Sequence, residues 1–421
     1  ILFLVASNSH INAQEYEWRK PLGGAAHDVA TATVTDNEGN VYIAGIFSDT
    51  VDFNPAPWPI NEALRTAEEG SVFGFVSKFD NNGNYNWVFV FKGTVDKNVG
   101  VAKLALDNNG NIIATGFFDG YVQIGENGEK INADKEGYFI TKITPDGNAL
   151  WTRQISVESN MIPSRLMVDN KNRIFISGYF HDEINIIDPD GYHKPLVSRG
   201  SFDNSDGFYI SFNSGGVYLH HLQIGGKGND KIHSISFDNN NNIYVLGLFS
   251  DTLRLNVNDI EQTYIPDGHR DLFITKVNEF HRITDVLIIG GEGVINPFHM
   301  TTDEKDNLYL TGNFSGKIDF NPGPGTDNIV KENLQGFVTK LNENEEYNWT
   351  FTLDALIQKL LTNENNLYLS GTFYGNVDFN PGLQQDLHNS NAGSNDIFIT
   401  KVNNSGNYKN TIVYGGAYDD E

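Results

Sequence analysis

Short stretches of alternating apolar and polar residues run along the chain, and each breaks off at a cluster of Asp, Asn and Gly. Val29–Thr35 alternates with period two. Val41–Phe53 is apolar over most of its length, and Phe73–Phe79 and Asn86–Phe91 follow, rich in β-branched and aromatic residues. This pattern predicts four consecutive short strands. The segment Asp36-Asn37-Glu38-Gly39-Asn40 suits a tight turn, because Asn and Gly accept positive φ and Asp binds its own backbone. No stretch carries a sustained helical period with caps; residues around Asn61–Glu69 suggest one short helical turn.

The four-strand pattern recurs six times. An anchor glycine stands at Gly45, Gly116, Gly178, Gly247, Gly312 and Gly371, a period of roughly 60–70 residues. Two positions on stand Phe47, Phe118, Phe180, Phe249, Phe314 and Phe373; three positions before stand Tyr42, Ile113, Phe175, Tyr244, Tyr309 and Tyr368. A second motif follows in each repeat: Phe75-Val76-Ser77-Lys78, Phe139-Ile140-Thr141-Lys142, Phe273-Ile274-Thr275-Lys276, Phe337-Val338-Thr339-Lys340 and Phe398-Ile399-Thr400-Lys401, with Phe208-Tyr209-Ile210-Ser211 lacking the lysine. Trp87, Trp151 and Trp349 lie in the strand after that motif. A lone four-stranded sheet cannot hide both faces, so the repeats must stack. The expected fold is all-β: a β-propeller of four-stranded antiparallel blades. The anchor glycines would let adjacent sheets approach closely, and the Phe and Tyr residues would fill the space between blades.

Six complete blades are visible, at about 27–93, 98–156, 162–226, 230–291, 296–353 and 357–416, in a single domain over 15–421. Residues 15–24 resemble the last strand of a repeat, and 414–421 the start of another. These ends predict an orphan closing strand and seven blades in the full-length protein, or else an open six-bladed arc.

Composition narrows the chemistry. The chain has 54 Asp plus Glu against 29 Lys plus Arg, a formal charge of −25. That field repels phosphate backbones, so nucleic acid is not expected as a partner. There is no cysteine, which excludes disulfides, thiol catalysis and cysteine metal sites. The apolar run Ile1–Ala6 and the segment Ile11-Asn12-Ala13 read as residues 1–13 of a signal peptide remnant, hence export to the cell surface or beyond. Nothing later approaches the apolar length of a membrane span.

Taken in order, Asp-x-x-Gly-Asn-x-Tyr-x-x-Gly-x-Phe, then Asp52-Phe53-Asn54-Pro55, Asp319-Phe320-Asn321-Pro322 or Asp378-Phe379-Asn380-Pro381, then Phe-Ile-Thr-Lys and a Trp strand, the repeats resemble the seven-bladed β-propeller (SBBP) repeat family. The resemblance covers about residues 15–421. It implies an exported protein of Bacteroidetes-like bacteria, often ending in a sorting domain, and no single activity. Repeats 3 and 4 depart from it by lacking both Asn-Pro and tryptophan, and repeat 6 has Thr362 for the leading Asp.

Candidate chemistry is sparse. Asp52, Asp319 and Asp378 are candidate calcium ligands, read alternatively as strand ends closed by Asx-turns. The Asp-Asn-x-Gly-Asn turns offer oxygen ligands but lack EF-hand spacing. The 11 histidines form no metal motif, and the adjacent His220 and His221 point to opposite faces of a strand. No nucleophile elbow, Walker or dinucleotide fingerprint is present, so no catalytic or cofactor-binding residue is assigned. The expectation is a non-catalytic binding scaffold for a protein or polysaccharide, with specificity in the loops around 55–70 and 188–206 and with Trp58 as a sugar-stacking candidate. The alternative is a propeller glycosidase, lyase or lactonase with acids converging from equivalent inner-strand positions. Inner strands such as Ala30–Thr33 and Ala102–Ala105 read instead as mixed.

Overall fold

The structure, a computed structural model, describes residues 18, 20–54, 63–94, 96–125, 128–157, 160–188, 191–192, 195–200, 204–363, 365–380, 384–391 and 393–420. Among them no helix is long and apolar enough to cross a membrane. Each repeat forms a four-stranded antiparallel meander. The first comprises Val29–Thr35, Val41–Ser48, Val72–Phe79 and Tyr85–Lys92; the second Val99–Leu106, Ile112–Ile124, Lys130–Ile143 and Ala149–Val157. The third comprises Asn160–Val168, Ile174–His181, Asp206–Phe212 and Tyr218–Ile224, and the fourth Lys231–Phe237, Ile243–Phe249, Asp271–Val277 and Ile283–Ile289. The fifth comprises Val294–Thr302, Leu308–Asp319, Asn328–Leu341 and Tyr347–Leu353, and the sixth Leu356–Asn363, Asn366–Phe373, Asp396–Asn403 and Tyr408–Tyr414. These are the blades of an all-β propeller. The residues divide into two compact units. One holds the described residues up to Ile176 with Asp182–Val197 and Ile210–His220; the other holds Ser177–His181, Ser198–Tyr209 and everything from His221.

Second strands are buried on both faces, as in Val41–Ser48 and Ile243–Phe249, which is why they read as continuous apolar runs rather than alternations. In the first unit, Tyr42, Phe89 and Phe91 of sheet 1 meet Phe118 and Phe139 of sheet 2. In the second unit, Leu246 and Ile289 meet Ile295 and Phe314, and Tyr309 and Val338 meet Leu360 and Phe398. Each such side chain contributes about 1.5–3 kcal/mol by leaving water.

Within the segment read as holding one short helical turn, 61–69, Ala63 is in a helical turn and Leu64–Thr66 is a strand paired with Thr50–Asp52. Loops between second and third strands carry hairpins of their own, such as Leu253–Val257 with Ile260–Tyr264 and Glu183–Ile184 with Leu196–Val197. The anchor glycines do not serve sheet-to-sheet approach. A Cβ at Gly45, Gly116, Gly247, Gly312 or Gly371 would lie 1.8–2.3 Å from a backbone carbonyl oxygen of the first strand of the same sheet. A register shift in that first strand brings the oxygen close, at Ala30/Ala32, Val101/Lys103, Ile232/Ser234, Pro297/His299 and Ile357/Lys359. A bulge turns the strand's backbone inward over its neighbour, and only hydrogen fits beneath it.

The motif lysine also has a structural partner. In repeat 1, Lys78 lies over the Tyr42 ring, and Tyr42 donates to Asp36 of the first turn. In repeat 2, Ile113 replaces that tyrosine and Lys142 reaches Asp107 directly, as a nearly fully buried ion pair at 2.6 Å. Burial alone would raise the Asp107 pKa, but Lys142, Asn111 and the N–H groups of Asn109 and Asn111 outweigh it and hold the carboxyl below its ordinary value of 3.8. A depressed carboxyl stabilises the fold above the unfolded pKa, and that stability is lost as pH falls through the folded value. Asp107→Asn, which leaves the buried Lys142 charge only Ser214 O at 3.3 Å, should therefore cost about 3 kcal/mol at pH 7. It should also flatten the acid limb below pH 4, read as urea midpoints between pH 7 and pH 2.5. An unchanged acid limb would show that the pair is not coupled to folding.

Candidate functional site

Most of the conspicuous motif residues hold sheets together. Each motif tryptophan lays its indole on the turn between the third and fourth strands of the following sheet. Trp87 Nε1 donates to Pro145 O at 2.9 Å and Trp151 Nε1 to Ser214 O at 3.2 Å, within the first unit; Trp349 Nε1 donates to Asn404 O at 3.3 Å in the second. Trp18, from the segment read as an orphan last strand, does the same to Asn81 O. A Cβ on the turn glycines Gly83, Gly147, Gly216 and Gly406 would meet these indoles at 2.6–3.3 Å. Repeats 3 and 4 lack the tryptophan, and the turns that follow carry His281 and Glu345 in the glycine's place, both at positive φ. Glu345 accepts from Tyr244 at 2.8 Å and pairs with Lys276, so an ion pair replaces the indole.

The candidate calcium ligands each close a turn of their own. Asp52 and Asp378 end the first strands of two loop hairpins, Thr50–Asp52 with Leu64–Thr66 and Asn376–Asp378 with Leu387–Asn389, and Asp319 ends the second strand of repeat 5. Each closes an Asx-turn, Oδ1 accepting from Asn54 N at 2.9 Å, Asn380 N at 3.0 Å and Asn321 N at 3.1 Å respectively. Asp319 and Asp378 also accept from Asp327 N and Asp386 N. In the first-turn motif, Asp36 spends both oxygens on Glu38 N, Asn40 and Tyr42. Among the described residues no three His, Cys, Asp or Glu side chains are grouped to hold a metal ion. His220 and His221 are consecutive in Tyr218–Ile224. Trp58 and the rest of residues 55–62 lie outside the described residues.

What the motifs leave free is the row of first strands, which adjoin one another within each unit. Thr31 Oγ1 donates to Val101 O at 2.5 Å in the first unit; Ser236 meets Thr302, and Thr362 reaches Thr302 O, in the second. None of the six first strands contains Asp or Glu, although the chain carries 54 of them. They carry instead Lys103, Arg165, Lys231, His233, His299 and Lys359; Lys103, His233, His299 and Lys359 stand at or beside the bulge of their strand. The span Ala102–Ala105, read as mixed, contains Lys103. Aligning the first strands on the anchor glycines would have shown this enrichment; the turn and aromatic motifs gave no hint of it.

In the first unit, Lys103 and Arg165 sit on neighbouring first strands. Burial pulls Arg165 down to about 10 and its Nε is enclosed without a hydrogen-bond partner; burial and then Arg165 lower Lys103. In the second unit a cleft of about 430 Å³ is lined by Asn229, Lys231, Leu248, Ser250, His269, Arg270 and Val294. Lys231 Nζ lies 4.1 Å from the centre of the Tyr179 ring. Burial, Lys231 and Arg270 together lower His233 to about 4, so it is neutral at physiological pH; its Nε2 is enclosed without a partner.

Blade-like meanders joined by repeated indole and lysine latches define a β-propeller repeat protein. The family model described as Beta-propeller repeat (SBBP) matches residues 221–248, the end of sheet 3 and the first two strands of sheet 4, bearing out the resemblance drawn from the motifs. The chain is 25% identical over 232 residues, 49% of its length, to an uncharacterized WD repeat-containing protein of Acanthamoeba polyphaga mimivirus, and it covers 17% of that protein. The chain thus spans under a fifth of the length of that relative. Among solved structures it is similar to a eukaryotic initiation factor (9% identity, TM-score 0.34, covering 94% of this chain and 91% of the other). It is also similar to the extracellular domain of a hybrid two-component system from B. thetaiotaomicron (10% identity, TM-score 0.21, 93% and 72%).

Proposed function

We propose that this β-propeller repeat protein is a non-catalytic scaffold, exported to the cell surface or beyond, that binds a protein or polysaccharide. The observation that carries this reading is the row of first strands, which holds cations and no carboxylate. A glycosidase working through paired acids would need carboxylates converging there; lysine and arginine side chains on a rigid sheet edge are suited to holding a ligand. The export part rests on the apolar run Ile1–Ala6 and the segment up to Ala13.

A polysaccharide array probed with the purified chain, with calcium and with chelator, tests it. The expected result is saturable binding to one glycan class that survives chelation, with no new reducing ends or unsaturated products after prolonged incubation. Product formation would replace the scaffold reading with the enzyme one. Binding that requires calcium would return the Asx-turn aspartates to the site.

A further inference from the structure

We propose that the cleft lined by Lys231, Arg270 and His269 is a binding site for a sugar-sized ligand bearing a carboxylate or sulfate. The inference rests on the scaffold reading and gives its ligand a charge and a place. The donors are a lysine, an arginine and a histidine, with the Asn229 and Ser250 side chains beside them, over an apolar floor of Leu248 and Val294. A volume of about 430 Å³ lies in the range of small-molecule sites.

The sign of this cleft runs against the molecule. In a chain of net charge −25, no Asp or Glu lines it. Asp230, the sequence neighbour of Lys231, is not in that lining; it accepts from Gly226 N at 2.6 Å and from Ser250 N, behind the cleft wall's backbone, at 3.3 Å. Among the described residues neither Lys231 nor Arg270 has an ion-pair partner; Lys231 is held by the face of Tyr179 instead. A cation resting on an aromatic ring keeps its charge available to a ligand. Burial and Arg270 also lower the Lys231 pKa, and Lys231 and Arg270 act in the same direction on His233. Guanidinium and ammonium groups in a lining that holds no carboxylate match an oxyanion, and bidentate pairing to arginine suits both carboxylate and sulfate.

Isothermal titration of the whole chain with trigalacturonate, a sulfated trisaccharide and neutral maltotriose tests the assignment and separates the two oxyanions. One or both anionic ligands should bind and maltotriose should not. Lys231→Gln and Arg270→Gln should each weaken binding about tenfold or more, the effect of losing one charged hydrogen bond. Inorganic sulfate should displace the ligand more strongly than chloride at equal ionic strength, a measurement that needs no variant. Failure of both anions to bind, or affinity unchanged in the two variants, would overturn the site. If a glycan found on the array still binds the variants at full strength, the cleft is wrong and the scaffold reading stands; if nothing binds in either experiment, both fall.

Discussion

Gly116→Ala is expected to destabilise the protein by about 4 kcal/mol or more, at the exceptional end for a single substitution, and to recover it largely unfolded. The added Cβ would lie 1.9 Å from Gly100 O and 2.8 Å from the Phe139 ring. The oxygen belongs to backbone already fixed by the bulge between Val101 and Lys103, and the ring is fully buried, so neither can move aside. Gly375→Ala separates this cause from loss of glycine's freedom. Gly375 has a φ of +72 and nothing within 4 Å of its Cβ position, so the change should cost only the left-handed strain of roughly 1–2 kcal/mol. Denaturant midpoints and near-ultraviolet circular dichroism give the comparison. Equal losses at the two positions would mean that the bulge does not set the requirement for glycine.

The second large effect belongs to the indole latch. Trp87→Ala should cost about 3 kcal/mol, because the ring packs on Gly147 and beside Tyr42, 6.1 Å between centroids, and its N–H would leave Pro145 O. The sharper test is a double-mutant cycle with Gly147→Ala. Alone, the alanine Cβ would press on the indole at 2.9 Å as well as bear a φ of +83. Without the indole only the backbone strain remains, so the two changes should couple by about 1–2 kcal/mol. The chain already contains the relaxed version: Asp285 stands at the tryptophan's register opposite Lys276, and the following turn accepts Glu345. Additivity within about 0.5 kcal/mol would mean that indole and turn are independent.

Local chemistry made much of this readable. The turn at Asp36–Asn40 closes through Asp36 and its own neighbours, interactions spanning at most six residues, so sequence spacing alone specifies them. The Asx-turn at Asp52 is legible for the same reason. The tryptophans were visible as a recurring residue, but their partners were not, since Trp87 and Pro145 are 58 positions apart. The cationic cleft was hidden more deeply. Lys231 opens a first strand and Arg270 precedes a third, and neither belongs to a motif.

By itself the sequence determined the strands, the turns and the sixfold four-strand repeat, because period-two alternation and Asp-Asn-Gly turn chemistry act over a few residues and recur at a fixed spacing. Tertiary structure alone decided that the anchor glycines make room for a bulge in their own sheet, that the second-to-third-strand loops fold into hairpins, and that cations line one cleft of an acidic chain. Each of these depends on which backbone oxygen, ring or charge arrives from a distant strand, and strand pairing sets that, not local propensity.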